Sequence, residues 1–225
     1  MPPRCTRHDR WALVSTAAPP GLASWLQEEL EALREDPTMA CVAIDASGAG
    51  KGRAALPEAT LSWLARFELP TICFAETAVA GAWFALALAC DIRICGAGAT
   101  FRLRGDPSAW QAQRLRTLLG DGAALTLLRG ETFDATAALE AGLVSEVVPA
   151  GTAPERAAAL AATIASRGPI ATRLAKEAIW RGLELPFAHA LRFEHDLTLL
   201  LQTTKDRAEG VRAFMEKRPP RFSGE

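Results

Sequence analysis

The chain has 225 residues, 49% hydrophobic and 23% charged, which is enough apolar material for one domain with a sizeable core and a helical extension. Its 26 acidic and 25 basic residues nearly cancel, which argues against a nucleic-acid binder driven by phosphate neutralisation. The longest apolar stretch, residues 78–90, is too short to span a bilayer, and no apolar run long enough for a signal-peptide core follows the basic residues Arg4, Arg7 and Arg10. A cytoplasmic protein without a signal peptide is therefore expected.

The first apolar run, residues 11–15, reads as a strand. Residues 21–36 follow with Leu22, Trp25, Leu26, Leu30 and Leu33 at helical spacing, and Pro37 stops that helix. C-V-A-I-D at residues 41–45 reads as a buried strand. A glycine-rich loop, S-G-A-G-K-G-R at residues 47–53, comes next; it lacks the G-x-x-x-x-G-K-[ST] pattern of a phosphate-cradling loop. Pro57 opens a helix through Leu61, Leu64 and Ala65, which Leu69-Pro70 ends, and T-I-C-F-A at residues 71–75 is the next strand. Residues 81–89 form a helix with almost no polar side chain, so it is expected to be buried. D-I-R-I-C (91–95) and residues 100–103 are further strands. Strands alternating with helices imply parallel pairing through βαβ crossovers.

Beyond Ser108 the pattern is almost wholly helical: residues 110–119 and 123–129, a helix capped by Asp134 and ended by Gly142, a brief strand at 146–148, then helices over 154–166, 169–183 and 186–204 and a last one reaching Phe214. The division expected is an α/β core over residues 1–150 and a helical region over 151–225.

Five cysteines (5, 41, 73, 90 and 95) show no metal-ligand spacing, and the last four sit in apolar runs, so they read as core thiols of a reducing compartment. No metal site and no Ser/His/Asp set stands out. His189 and His195 are six apart on one helix and do not share a face. Arginine outnumbers lysine 21 to 4; a GC-rich genome is the plain explanation, and phosphate-gripping arginines are the functional one.

Four stretches in order carry a resemblance: L-A-L-A-C-D-I-R-I (86–94), Q-R-L (113–115), L-L-R-G-E-T-F-D-A-T-A-A-L-E-A-G-L-V-S-E-V-V-P (127–149) and A-F-M-E-K-R-P-P-R-F-S-G (213–224). Together they resemble the crotonase (enoyl-CoA hydratase/isomerase) superfamily. The resemblance implies an α/β fold with a spiral core of stacked ββα turns and C-terminal helices used for trimer contacts, as a homotrimer or a hexamer. It implies an acyl-CoA or acyl-carrier-protein substrate and no cofactor beyond the CoA or phosphopantetheine that the substrate carries. In this family two backbone N–H groups hold the thioester carbonyl and stabilise the enolate or oxyanion.

Mapped onto that pattern, the second oxyanion donor falls on the N–H of Ala82. The two hydratase glutamates fall on Ala85 and Gly105, so ordinary hydration chemistry is not expected. The nearest carboxylate is Asp106, a candidate acid/base that is equally suited to cap a turn or helix beside Pro107. The first donor falls on Pro57, which has no N–H, and a shift by one or two residues places it on Leu56 or Ala55. Trp83 and Phe84 either reshape the acyl pocket or fill the core. Lys51, Arg53, Lys217 and Arg218 are candidates for the phosphates of CoA or phosphopantetheine, with solvated surface charge as the alternative. Glu76, after an apolar strand, is a carboxylate to weigh near a pocket. The expected function is an acyl-thioester isomerase or decarboxylase (lyase) working through an enolate, in polyketide or other secondary metabolism. The alternative is a catalytically degenerate homologue assisting a partner biosynthetic enzyme.

Overall fold

The computed structural model describes residues 3–15, 21–47 and 56–225. In chain order the elements are β1 (Arg4–His8), β2 (Trp11–Ser15), α1 (Leu22–Arg34), β3 (Cys41–Asp45), α2 (Glu58–Ala65), β4 (Thr71–Ala75), β5 (Val79–Ala80), α3 (Ala82–Ala89), β6 (Ile92–Gly96), β7 (Thr100–Arg102) and α4 (Ala109–Leu128). They continue with β8 (Thr132–Asp134), α5 (Ala135–Glu140), β9 (Glu146–Val148), α6 (Ala153–Ala165), α7 (Pro169–Gly182), α8 (Phe187–Gln202) and α9 (Lys205–Met215).

The near-continuous apolar runs of β3 and β4 are those of strands buried on both faces, and they lie inside a six-stranded sheet ordered β1-β2-β3-β4-β6-β9. All its pairings are parallel except the hairpin of β1 with β2. A smaller sheet, β5-β7-β8, stands beside it. The α/β expectation therefore holds. β1, β5 and β8 were not foreseen. β1 reads R-C-T-R-H with four exposed residues, so it carries no apolar alternation to announce it.

One face of the main sheet is covered by α1, whose Leu22, Leu26, Leu30 and Leu33 form a buried stripe, together with α2, α3 and residues of α4 and α5. The other face is covered by α6. Its buried Ala153, Ala157, Ala161 and Ala165 recur every fourth residue and pack on Cys41, Ala43, Ile72, Phe74 and Ile94. Alanine at each of these positions lets the helix backbone lie close on the strands.

Two polar clusters tie these layers. Asp91 accepts from Thr71 N–H at 2.8 Å, from Thr71 Oγ1 at 2.9 Å and from Lys176 Nζ at 2.6 Å, so it joins the starts of β4 and β6 to α7. The guanidinium of Arg93 is buried and donates to the carbonyls of Leu143 and Cys90. Burial pulls its pKa down. Among the described residues no helix is long and apolar enough to cross a membrane.

Candidate functional site

Helix α3 is the centre of the candidate site. Gly81 precedes it at φ 61°, ψ −127°, a conformation that glycine adopts without a Cβ penalty. The first intrahelical bond runs from the Ala85 N–H to the Gly81 carbonyl at 3.1 Å. The N–H groups of Ala82, Trp83 and Phe84 thus precede the helix ladder, and no side chain among the described residues caps them. That leaves the Ala82 N–H directed out of the helix end, where the helix dipole adds partial positive charge.

The rest of α3 is apolar and enclosed. Trp83 through Ala89 are all buried, with Phe84 at 0% and Trp83 at 3% exposure. Trp83 and Phe84 lie where the core-filling alternative puts them. Both belong to the central core, because a helix packed among the sheet, α2 and α4 has no solvent side on which to present them. Ala85, at 3% exposure, lies in the same core.

Helix α2 packs against α3 and begins behind Pro57 at φ −56°, ψ 147°. Leu56 is half-buried against the core beside it. Lys51, Arg53 and Ala55 fall outside the described residues. Asp106 is exposed in the bend between β7 and α4, next to Gly105 at φ 74°. It does not cap the helix. Ser108 does, in a capping box with Gln111: the Ser108 hydroxyl accepts from Gln111 N–H at 3.3 Å, and Gln111 Oε1 accepts from Ser108 N–H at 2.9 Å. No hydrogen bond or ion pair with a described residue holds the Asp106 carboxylate.

Other candidates resolve into structure. Glu76 accepts from Gly151 N–H at 2.8 Å and Ala153 N–H at 2.6 Å, so its carboxylate caps the start of α6. A Cβ at Gly96 would lie 2.2 Å from a Glu76 oxygen, so a larger residue there would push this carboxylate out of its place. Arg218 donates to both oxygens of Glu209 at 2.6 and 3.0 Å and to Glu216 at 2.6 Å. Its charge is thus matched within the chain by Glu209 and Glu216. The same bonds, with the Arg221 N–H, hold Glu209 down to about 2 and push Arg218 up.

Lys217 is exposed and has the only positive φ (52°) of a non-glycine among the described residues. It is the turn residue of a Schellman ending to α9, in which Arg218 N–H bonds Ala213 O at 3.0 Å and Lys217 N–H bonds Phe214 O at 3.2 Å. His189 and His195 are exposed on α8. Burial pushes the Cys41 thiol up to about 12 and Cys95 to about 11, while the hydrogen bond with Cys90, then burial, hold Cys73 well above the ordinary value. None of these is a ready nucleophile at neutral pH. Among the described residues no three His, Cys, Asp or Glu side chains gather to hold a metal.

A buried apolar helix with an uncapped N-terminus, set on a spiral α/β core, is the frame that the sequence resemblance implied. Residues 55–225 match the family model described as enoyl-CoA hydratase/isomerase, and the chain belongs to that family. It is 39% identical over 174 residues to the mitochondrial enoyl-CoA hydratase domain-containing protein 2 of Mus musculus (73% of this chain, 59% of that protein). It is 37% identical over 167 residues to the 2,3-dehydroadipyl-CoA hydratase of Escherichia coli (72% of this chain, 66% of that protein). The matched part thus spans less than two thirds of the length of these relatives. The fold superposes on the enoyl-CoA hydratase of Bacillus anthracis with a TM-score of 0.89 at 31% identity, covering 99% of both chains. The architecture is the crotonase-like α/β fold with its helical C-terminal region.

Proposed function

We propose that the chain acts on an acyl thioester, acyl-CoA or acyl-carrier protein, at the N-terminus of α3, through an enolate and without hydrating the acyl chain. The observation that carries this reading is the uncapped Ala82 N–H behind Gly81. A backbone donor fixed on a buried helix needs no reorganisation as charge develops on the thioester oxygen. Hydration would need acid and base groups where this chain has Ala85 and Gly105, which titrate nothing. The family's hydratase-named relatives support the substrate class, and the missing carboxylates support isomerisation or decarboxylation of an acyl chain from polyketide or other secondary metabolism.

In this reading Asp106 moves the proton, Leu56 supplies the first donor that Pro57 cannot, and Lys217 meets a CoA phosphate, with Lys51 and Arg53 from the glycine-rich loop. A trimer or a dimer of trimers is supported by apolar side chains left outside on the last helices, among them Phe187 at 78%, Phe214 at 84% and Met215 at 77% exposure. A specific observation favours a second reading. The burial of Trp83 and Phe84 in the core leaves them unavailable to shape an acyl pocket, as suits a degenerate homologue assisting a partner enzyme.

The test is a panel of CoA and carrier-protein thioesters, enoyl and β-carboxyacyl, assayed by mass spectrometry with the wild type and Asp106→Asn. Isomerised or decarboxylated product that Asp106→Asn abolishes, with an unchanged melting temperature, supports the enzyme reading. No product from any thioester supports the helper.

A further inference from the structure

Helix α3 has a second end, and its last carbonyls meet two arginines. Both belong to stretches that carry the family resemblance, Arg93 to residues 86–94 and Arg114 to residues 113–115. Arg114, on α4, donates from Nε to the Leu88 carbonyl at 3.0 Å. Arg93, on β6, donates from Nη1 to the Cys90 carbonyl at 2.6 Å. Leu88 lies in the last turn of α3, and Cys90 is its C-cap residue. The end of this buried helix is therefore held by two cations that reach it from different elements.

Neither arginine forms an ion pair among the described residues. Asp91, the carboxylate whose charge reaches both, is already bound by Lys176 at 2.6 Å. Burial pulls the pKa of both guanidinium groups down, and the Arg114 charge lowers that of Arg93 further. A free carbonyl at a helix end needs a donor, and a neutral side chain or water can supply one. Two partly desolvated charges do more. Cations at a C-terminus cancel the negative pole of the helix dipole and add their own positive potential along its axis. The eight residues of α3 put its N-terminus about 12 Å away. Across that distance, at an effective dielectric constant of about 20, one charge alters the proton affinity of an anion by up to about one pKa unit.

We propose that Arg114, with Arg93 beside it, is a positioning residue for the site at α3: it holds the Leu88 carbonyl and raises the positive potential at the Ala82 N–H, where a thioester enolate forms. This rests on the reading of α3 as the thioester site. It gives the two arginine-bearing stretches a part in the chemistry, although both arginines bond the far end of the helix.

The test is the enolisation of bound acetoacetyl-CoA, followed by its ultraviolet enolate absorbance across pH in the wild type, Arg114→Gln and Arg114→Lys. The side-chain nitrogen of glutamine occupies the chain position of arginine Nε, so Arg114→Gln keeps a donor for Leu88 and removes the charge. Arg114→Lys keeps the charge and loses that donor. The wild type should enolise the bound thioester at lower pH than free solution does. Arg114→Gln should move that midpoint up by roughly half a unit to one unit at an unchanged melting temperature, and Arg114→Lys should stay near the wild type. The proposal is overturned by an Arg114→Gln midpoint equal to that of the wild type. It is overturned too by equal shifts in Arg114→Gln and Arg114→Lys, which would make Arg114 a structural cap alone. A wild type that does not bind acetoacetyl-CoA, or enolises it no more readily than solution does, would instead remove the thioester site at α3 and the proposal with it.

Discussion

Helices α3 and α8 are both rich in apolar side chains, yet α3 buries seven of its eight residues and α8 only Leu197 of its sixteen. Helix α3 is enclosed by the sheet, α2 and α4, so its sequence needs no polar face. Helix α8 packs mainly on α7 and leaves Phe187, Leu191, Leu199 and Leu200 at 50–78% exposure. The difference teaches that hydrophobic content alone does not locate the core. One helix is stabilised by its own chain, and the other presents surface that another chain can cover.

The largest expected effect lies on the α3 side. Phe84→Ala should cost about 3–5 kcal/mol, since the ring is wholly buried and the cavity cannot collapse against the sheet. Chemical denaturation measures it, and a loss below about 1 kcal/mol would show that α3 is loosely packed.

Next comes the link between the two regions. Lys176→Met leaves Asp91 without its cation at a site where the side chains are only 9% and 22% exposed. About 2–3 kcal/mol should go, less than for a fully buried pair because Asp91 keeps some water and its Thr71 bonds. Equal stability in the variant would mean that α7 docks through apolar contact alone.

These regions were unequally legible in the sequence. The runs that became β3, β4 and β6 are apolar enough to declare themselves, and so is the spacing of α1. The break between residues 119 and 123 was legible too, because Gly120 takes φ 73°, ψ 174° inside α4. β1 was hidden, since an exposed edge strand is specified by its partner β2 rather than by its own pattern. In the site, motif order assigned roles to Ala82, Ala85 and Pro57, and the structure sets Ala82 at the start of α3 and Pro57 at the start of α2. Glu76 could not be interpreted, because its partners are backbone N–H groups 75 and 77 residues away. The match of Arg218 to Glu209 depends on how the tail folds back on α9, which no local pattern encodes.

On the α8 side a substitution should leave the folded chain nearly unchanged and alter association. Phe187→Asp should move stability by no more than about 0.5 kcal/mol per folded chain while lowering the mass in sedimentation towards the monomer. A large fall in stability at unchanged mass would put α8 in the same class as α3 and remove the contrast.

The smallest effect is at the tail. Glu209 is held down to about 2 from 4.5 by Arg218 and the Arg221 N–H. A carboxylate with a lowered pKa stabilises the folded chain while it is ionised. Its contribution is therefore full above pH 4.5 and is lost as the pH falls towards about 2. The pair lies at the surface with its side chains 35% and 17% exposed, so water and salt still screen it and the effect is small. Melting of wild type against Glu209→Gln across that range should show a gap that closes on acidification, and a gap independent of pH would contradict the pairing.

The central claim is that the Ala82 N–H at the start of α3 stabilises a thioester enolate in a site without hydratase carboxylates. Proton NMR of a saturated acyl-CoA with the enzyme in deuterium oxide tests it most directly, with an enoyl-CoA run alongside. The account predicts exchange of the acyl α-protons for deuterium and no addition of water to the enoyl chain. Hydration of the enoyl-CoA, or α-protons that stay in place, would contradict it.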